Sequence, residues 1–194
     1  GGTLSVFKDK GCEVLGLDFD DEYLEVARQN GVAVINGSLD KLNEDNKYDV
    51  IILSHVLEHI VSPIDFLKSI RERLQENGVL YIEVPTLNYV YEGGDEYGDS
   101  FYEFDLLNYW QNAHTIHFST ETLRLLCNQA GFQKIKGTNF NCSCWKLGVV
   151  DYSLNESEKK ASFDNMSNLL LQIEKKRKSL KIVAIKNIKR SIKF

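Results

Sequence analysis

The sequence predicts an α/β protein: a doubly wound, mostly parallel sheet with an antiparallel C-terminal hairpin. Three observations carry this. Apolar runs of strand character alternate with stretches of helical spacing through residues 1–150. The run "YDVIILS" at 48–54 is of the kind buried on both faces of a parallel sheet. The chain also begins "GGTLSVFKDK", with helix-like spacing and no strand ahead of it, before a strand that ends in Asp18.

In chain order, residues 3–10 read as helix and "CEVLGLD" as a buried strand. "DEYLEVARQN" places Leu24 and Ala27 on one helical face, with Gly31 as the stop. "VAVIN" is the next strand, and a polar connection leads into "YDVIILS". Pro63 suits a helix start, where its fixed φ is already helical and its missing N–H is not needed. "IDFLKSIRERLQ" then repeats Ile64, Leu67, Ile70 and Leu74 at helical spacing, and "ENG" is expected to end this helix before the strand "VLYIEV".

The alternation breaks off between Pro85 and Phe118, and so long a stretch without a period predicts a lid or binding loop over 86–118. Tyr89, Tyr91, Tyr97, Tyr102, Tyr109 and Trp110 crowd it, flat apolar surfaces that suit sugar rings or aromatic acceptors and also suit core filling. In "STETLRLLCNQAGF", Ser119 or Thr120 caps a helix and Gly131 closes it. "QKIKGTNFNCSCWKLGVV" reads as two β segments joined near Gly137 to Asn141, the antiparallel pair at the sheet's end. Residues 1–150 thus form one domain, and 151–194 a helical tail.

Composition bounds the function. With 194 residues, 43% of them hydrophobic and 26% charged, the chain can build one sizeable core. No window reaches the roughly 18 to 20 apolar residues a membrane span needs, and no signal pattern opens the sequence, so a cytoplasmic location is expected. Cys12, Cys127, Cys142 and Cys144 lack a second close pair that would complete a zinc spacing, and read as reduced core thiols. Residues 172–194 hold nine Lys or Arg against Glu174, a charge of +8, so the formal total of -5 leaves -13 for residues 1–171. Such an acidic body excludes a nucleic-acid partner, which demands clustered cations. In the tail, Ile182, Ile185, Ile188 and Ile192 share a helical face ringed by Lys181, Lys186, Lys189, Arg190 and Lys193. A solvated or partner-packed helix and a peripheral contact with an anionic membrane both fit that pattern.

In an open parallel sheet, ligands bind at the carboxyl ends of the strands. Those ends are Asp18 and Phe19, Gly37 and Ser38, Ser54 and His55, and Glu83 to Thr86. A carboxylate there can grip both hydroxyls of a ribose with its two oxygens. The blocks "GLDFDDEYLEVAR", "YDVIILSHVLEHIVSP", "LQENGVLYIEVP" and "AHTIHFSTETLRLLCNQAGF", in this order and spacing, resemble the class I S-adenosylmethionine-dependent methyltransferases of Rossmann-like fold. The subgroup that modifies small molecules, quinones and bacterial sugars is the most similar, and the resemblance covers residues 1 to about 140.

The resemblance implies S-adenosylmethionine as cofactor and S-adenosylhomocysteine as product. Asp18 then corresponds to the ribose-binding acid and Phe19 to the apolar residue near adenine. Gly37, Ser38 and Leu39 fall where the family often has Gly-Asp and an adenine-contacting residue; Ser38 departs from that pattern, and its hydroxyl is expected to accept weakly from the adenine amino group. Ser54 and His55 correspond to residues beside the methionine part, and His59 to a recurrent histidine of "HVLEHI". Gly1 corresponds to the last glycine of a G-x-G-x-G turn, so the first strand and most of that turn are expected upstream. Without them the fragment is expected not to hold cofactor normally, and a neighbouring chain, a rearranged segment or an altered homodimer would fill the gap.

Methyl transfer mainly requires alignment, because the sulfonium already activates the carbon. A hydroxyl acceptor gains from a base, for which His59, His114 and His117 are the candidates together with His55. A helical start after the strand would put His55 and His59 on one face. Each histidine also has a structural reading, as a buried hydrogen-bonding group or a helix cap. No metal site is expected, since the acids near these histidines follow no recognisable ligand spacing. The expected activity is methylation, at oxygen, of a small metabolite or of a sugar or glycan intermediate in surface-polysaccharide biosynthesis. A noncatalytic α/β binding or assembly module is the alternative.

Overall fold

A computed structural model describes residues 2–85, 113–138, 142–149 and 153–165, together with 167, 168, 171 and 175. The chain divides into two compact units, residues 1–48 and 49–194. Gly1, residues 86–112 of the expected lid with the tyrosines and Trp110 named from sequence, and nearly all of the basic tail from 172 lie outside the described residues.

The first unit holds α1 (Gly2–Asp9), β1 (Leu15–Asp18), α2 (Asp21–Gln29) and β2 (Ala33–Asn36). β1 and β2 are parallel, in register from Leu15 opposite Ala33 to Asp18 opposite Asn36. Asp20 caps α2 by accepting from the amides of Glu22 and Tyr23, and Asp21 and Glu22 add negative charge where the helix dipole favours it. Leu24 and Ala27, the face read from spacing, are buried with Val32.

The second unit contains β3 (Tyr48–Ser54, whose first residue belongs to the first unit), α3 (Pro63–Arg73), β4 (Leu74–Glu83), α4 (Thr120–Gln129), β5 (Phe132–Gly137) and β6 (Cys142–Leu147). The sheet order is β3-β4-β6-β5, with β4–β6 and β5–β6 both antiparallel. The expected terminal hairpin is therefore present, with an irregularity between Lys134 and Lys136.

Its core joins Leu67 and Ile70 of α3, Leu80 and Ile82 of β4, Leu123 and Cys127 of α4, Phe132 and Trp145. The buried Trp145 indole donates to Ser143 Oγ at 2.8 Å, which satisfies its only polar atom. Ser119 and Thr122 form a reciprocal capping box at the start of α4. Gly131, at φ +88°, ends that helix in a conformation that disfavours a side chain, and a Cβ there would meet the Arg71 guanidinium at 3.1 Å.

Three expectations are corrected. β3 is not buried on both faces: only Leu53 is buried and Val50 is 46% exposed, because among the described residues β3 pairs with β4 alone and its other edge is open. The helix from Pro63 stops at Arg73, ahead of "ENG", and Leu74 takes extended geometry at the start of β4. Leu74 is buried all the same, so a residue at helical spacing meets the core from a strand. Of the four free thiols only Cys127 is fully buried; Cys12 is exposed, ahead of the first residue of β1, and Cys142 and Cys144 are intermediate.

Described residues 156–165 are helical. Asn155 and Glu158 cap that start reciprocally at 2.8 and 2.9 Å. Among the described residues no helix is long and apolar enough to cross a membrane.

Candidate active site

In the first unit the strand ends make a polar rim. Asp18 closes β1, and its Oδ1 accepts from the amides of Phe19 at 2.7 Å and Asp20 at 3.0 Å. This turn fixes the carboxylate while one oxygen stays out of those bonds. Phe19 is 74% exposed, an apolar ring at the surface of the strand-end rim. The Asp18 carbonyl accepts from Gly37 N at 2.9 Å, which joins the ends of β1 and β2. Gly37, at φ +139°, allows this close turn: a Cβ there would lie 2.8 Å from Lys41 Cγ.

Ser38 does not keep a free hydroxyl. It donates to Asp40 Oδ1, and this bond is the main reason the Asp40 carboxyl is held below the ordinary carboxylate range. An acid thus lies two residues after Ser38, held by the serine hydroxyl. Leu39 is half-buried at the start of the 3-10 turn Leu39–Lys41.

In the second unit the site is built on the turn after β3. Ser54 donates to Glu83 Oε2 at 3.0 Å, and Tyr81 donates to the same oxygen at 3.3 Å. The Tyr81 hydroxyl is pushed above the ordinary phenol value, first by its hydrogen bond with Cys142 and then by burial, so it stays protonated. His55 N donates to the Glu83 carbonyl at 2.9 Å, and His55 takes a left-handed conformation at φ +53°. Backbone strain of roughly 1–3 kcal/mol is characteristic of such positions, and it collects at functional sites.

The expected helical start is absent. The left-handed His55 leads into a single 3-10 turn, Leu57–His59, so the two histidines do not share an α-helical face. What relates them is Glu58. Its Oε1 lies 3.3 Å from His55 Nδ1 and 4.0 Å from His59 Nε2. Glu58 is only 1% exposed, and neither carboxylate oxygen has a hydrogen bond among the described residues; the His55 approach is close without hydrogen-bond geometry. An ionised carboxylate so placed costs on the order of several kcal/mol unless something compensates it.

The segment ahead of α4 closes over this turn. His59 Nδ1 donates to the Ala113 carbonyl at 2.9 Å; a carbonyl only accepts, so in the neutral ring Nε2 carries the lone pair. Thr115 N donates to the Glu58 carbonyl at 2.8 Å, and the Thr115 hydroxyl reaches the carbonyls of Glu58 and Ile60 at 3.0 and 3.1 Å. The rings of His59 and His114 meet edge-on at 5.0 Å, and His114 and His117 at 5.7 Å. His114 thus stands between His59 and His117, while His55, the fourth candidate, and Ser54 lie on the same turn after β3. Asp18, Phe19, Ser38 and Leu39 belong to the other unit.

Sequence reasoning named Glu83 only as a strand end and passed over Glu58, Thr115 and Asp40. The signal for Glu58 was present: an acid between Leu57 and His59 in a run that otherwise reads as buried.

Residues 1–136 match the family described as methyltransferase domain, and the chain belongs to it. It is a class I S-adenosylmethionine-dependent methyltransferase.

Solved structures agree on the fold. One is a putative S-adenosylmethionine-dependent methyltransferase from Listeria monocytogenes, with TM-score 0.58 and 16% identity over 76% of this chain and 86% of that one. A second is the 1,6-didemethyltoxoflavin-N1-methyltransferase of Burkholderia thailandensis with bound 1,6-didemethyltoxoflavin and S-adenosylhomocysteine, at TM-score 0.55 and 16% identity over 76% and 67%. A third is an O-methyltransferase from neocarzinostatin biosynthesis in complex with S-adenosylhomocysteine and 1,4-dihydroxy-2-naphthoic acid, at TM-score 0.51 and 20% identity over 76% and 46%.

Proposed function

We propose that this methyltransferase acts at an oxygen of a small metabolite or of a sugar or glycan intermediate. The observation that carries the reading is the cluster of His59, His114 and His117 against the turn that follows β3. Imidazoles suit a hydroxyl acceptor, which must lose a proton as its oxygen bonds to the methyl carbon. In that displacement the carbon–sulfur bond breaks, its electron pair stays on sulfur, and an imidazole takes the proton. Most of the acceleration comes from alignment.

The remaining roles follow the strand ends. Asp18 binds the ribose hydroxyls through the oxygen its turn leaves uncommitted, and Phe19 covers the adenine. Ser38 with Asp40, and Leu39, meet the adenine edge. Ser54 and His55, held to Glu83, flank the methionine group. Gly1 would belong to the glycine-rich turn. Residues 1–150 form the catalytic domain in this reading, with 86–118 as its lid. The basic tail makes a peripheral contact with an anionic membrane.

Calorimetric titration with S-adenosylhomocysteine tests the reading. Binding is expected, weakened roughly 10-fold or more by Asp18→Ala, since a hydrogen bond to a charged group is worth about 1.5–3 kcal/mol. Absence of binding at millimolar ligand would sink it.

A further inference from the structure

Three donor groups from distant stretches of the second unit converge. Glu58 and His59 come from the turn after β3 and His114 from the segment before α4, and one ligand atom of each lies within 4.8 Å of the others. We propose that Glu58, His59 and His114 bind one divalent transition-metal cation of the borderline class typified by Zn2+. The expectation of no metal site came from spacing along the chain, whereas this donor set is assembled across it.

Each donor is prepared in a way that a hydrogen-bonding role alone leaves unexplained. Both oxygens of the buried Glu58 carboxylate lack hydrogen bonds among the described residues, and a cation is the partner that makes a buried negative charge favourable. His59 spends its Nδ1–H on the Ala113 carbonyl, which turns the Nε2 lone pair toward Glu58; metal-bound imidazoles are held in this way by a bond from the other ring nitrogen. Nδ1 of His114 is buried without a hydrogen bond among the described residues. Thr115, next to His114, fastens that segment to the Glu58 carbonyl, so the two halves of the set are joined before any ion arrives.

The chemistry of the set selects the ion. Two imidazole nitrogens and one carboxylate oxygen suit Zn2+ and its neighbours, whereas Mg2+ and Ca2+ prefer all-oxygen shells. Bonds of about 2.0–2.2 Å place tetrahedral ligand atoms roughly 3.3–3.5 Å apart. The 4.0 Å from His59 Nε2 to Glu58 Oε1 must close by less than about 1 Å, a small rotation for a side chain 42% exposed. His55, with Nδ1 3.3 Å from Glu58 Oε1, stands at the rim as a further donor. Three protein ligands leave a position open, as in catalytic rather than structural zinc sites. The cation site rests on this geometry alone; giving its open position to the acceptor oxygen rests on the methyltransferase reading. His59 and His114 would then hold the ion instead of taking a proton.

The test is calorimetric titration of the full metal-free chain with Zn2+, alongside a titration with S-adenosylhomocysteine. One equivalent of Zn2+ is expected, with affinity reduced roughly 10-fold or more in Glu58→Gln and in His59→Ala. Circular dichroism checks each fold; His59 is half-exposed, so its variant serves if Glu58→Gln fails to fold. The Cys142→Ser, Cys144→Ser double variant should bind Zn2+ as the parent does. No stoichiometric uptake, or uptake undiminished in His59→Ala, overturns the site. S-adenosylhomocysteine binding without Zn2+ uptake overturns the cation and leaves the methyltransferase reading standing. Zn2+ uptake lost in His59→Ala supports the site whether or not the cofactor product binds.

Discussion

Thr115 and Glu58 are joined at one carbonyl: the Glu58 oxygen accepts from the Thr115 amide at 2.8 Å and from its hydroxyl at 3.0 Å, across 57 residues of sequence. This clamp sets where His114 stands relative to the turn that carries His59. Thr115→Val keeps the amide bond and the shape but removes the hydroxyl. Stability should fall by about 1 kcal/mol, which for a domain of this size is roughly 2–4 °C in Tm. Thr115→Ser should recover most of the loss. Thermal denaturation followed by circular dichroism checks both, and an unchanged Tm in Thr115→Val would remove the hydroxyl from the account.

A second prediction concerns the acid that stands in beyond Ser38. The Ser38 hydroxyl is the largest cause of the depressed Asp40 carboxyl, with the Lys41 charge assisting and desolvation opposing. A depressed folded value means that the contribution is present above the unfolded value of about 3.9 and is lost as pH falls through the folded one. Ser38→Ala should raise the Asp40 midpoint toward the ordinary carboxylate range. An NMR titration of the carboxyl carbon reads this directly, and equal midpoints in the two proteins would contradict it.

Local rules made most of the elements legible. Ser119 and Gly131 bounded α4 because cap and stop chemistry is local, and Pro63 marked the start of α3 for the same reason. Leu24 and Ala27 were found by period alone. The failures share a cause in tertiary pairing. β3 reads as a central strand, yet what surrounds it is decided by neighbours that its own residues do not encode. Leu74 fits the helical period but pairs as sheet. At the site, the histidines were visible as residue types. Glu58 stood in view between Leu57 and His59, but a charged residue is ordinarily taken to face water, and its burial is set by tertiary packing that no periodicity predicts.

The buried pair of Ser143 and Trp145 gives a third prediction. Ser143 Oγ accepts from the indole N–H at 2.8 Å, and both residues are nearly inaccessible, at 4% and 1%. Ser143→Ala leaves the indole donor in the core with no water to take its place. The cost should be about 1–3 kcal/mol, more than a surface serine would lose. Urea denaturation should show a lower midpoint at unchanged slope, since the area exposed on unfolding is nearly the same.

The thiols should separate by reactivity. Cys127 is fully buried in the core beside Leu123 and Phe132, and burial pushes its thiol well above the ordinary value despite the charge of Lys134. Cys12 is exposed. The thiolate is the reactive form, so at about pH 8 iodoacetamide should label Cys12 rapidly and leave Cys127 intact until urea unfolds the chain. Because the folded-state value of Cys127 lies above the unfolded one, its contribution is complete below roughly pH 8.5 and declines as pH rises past it. Intact-mass spectrometry with and without urea reads the first effect, and Tm measured across the alkaline range reads the second. Labelling of Cys127 at the rate of Cys12 in the native protein would show that the core joining α4 to the sheet opens far more readily than its packing implies.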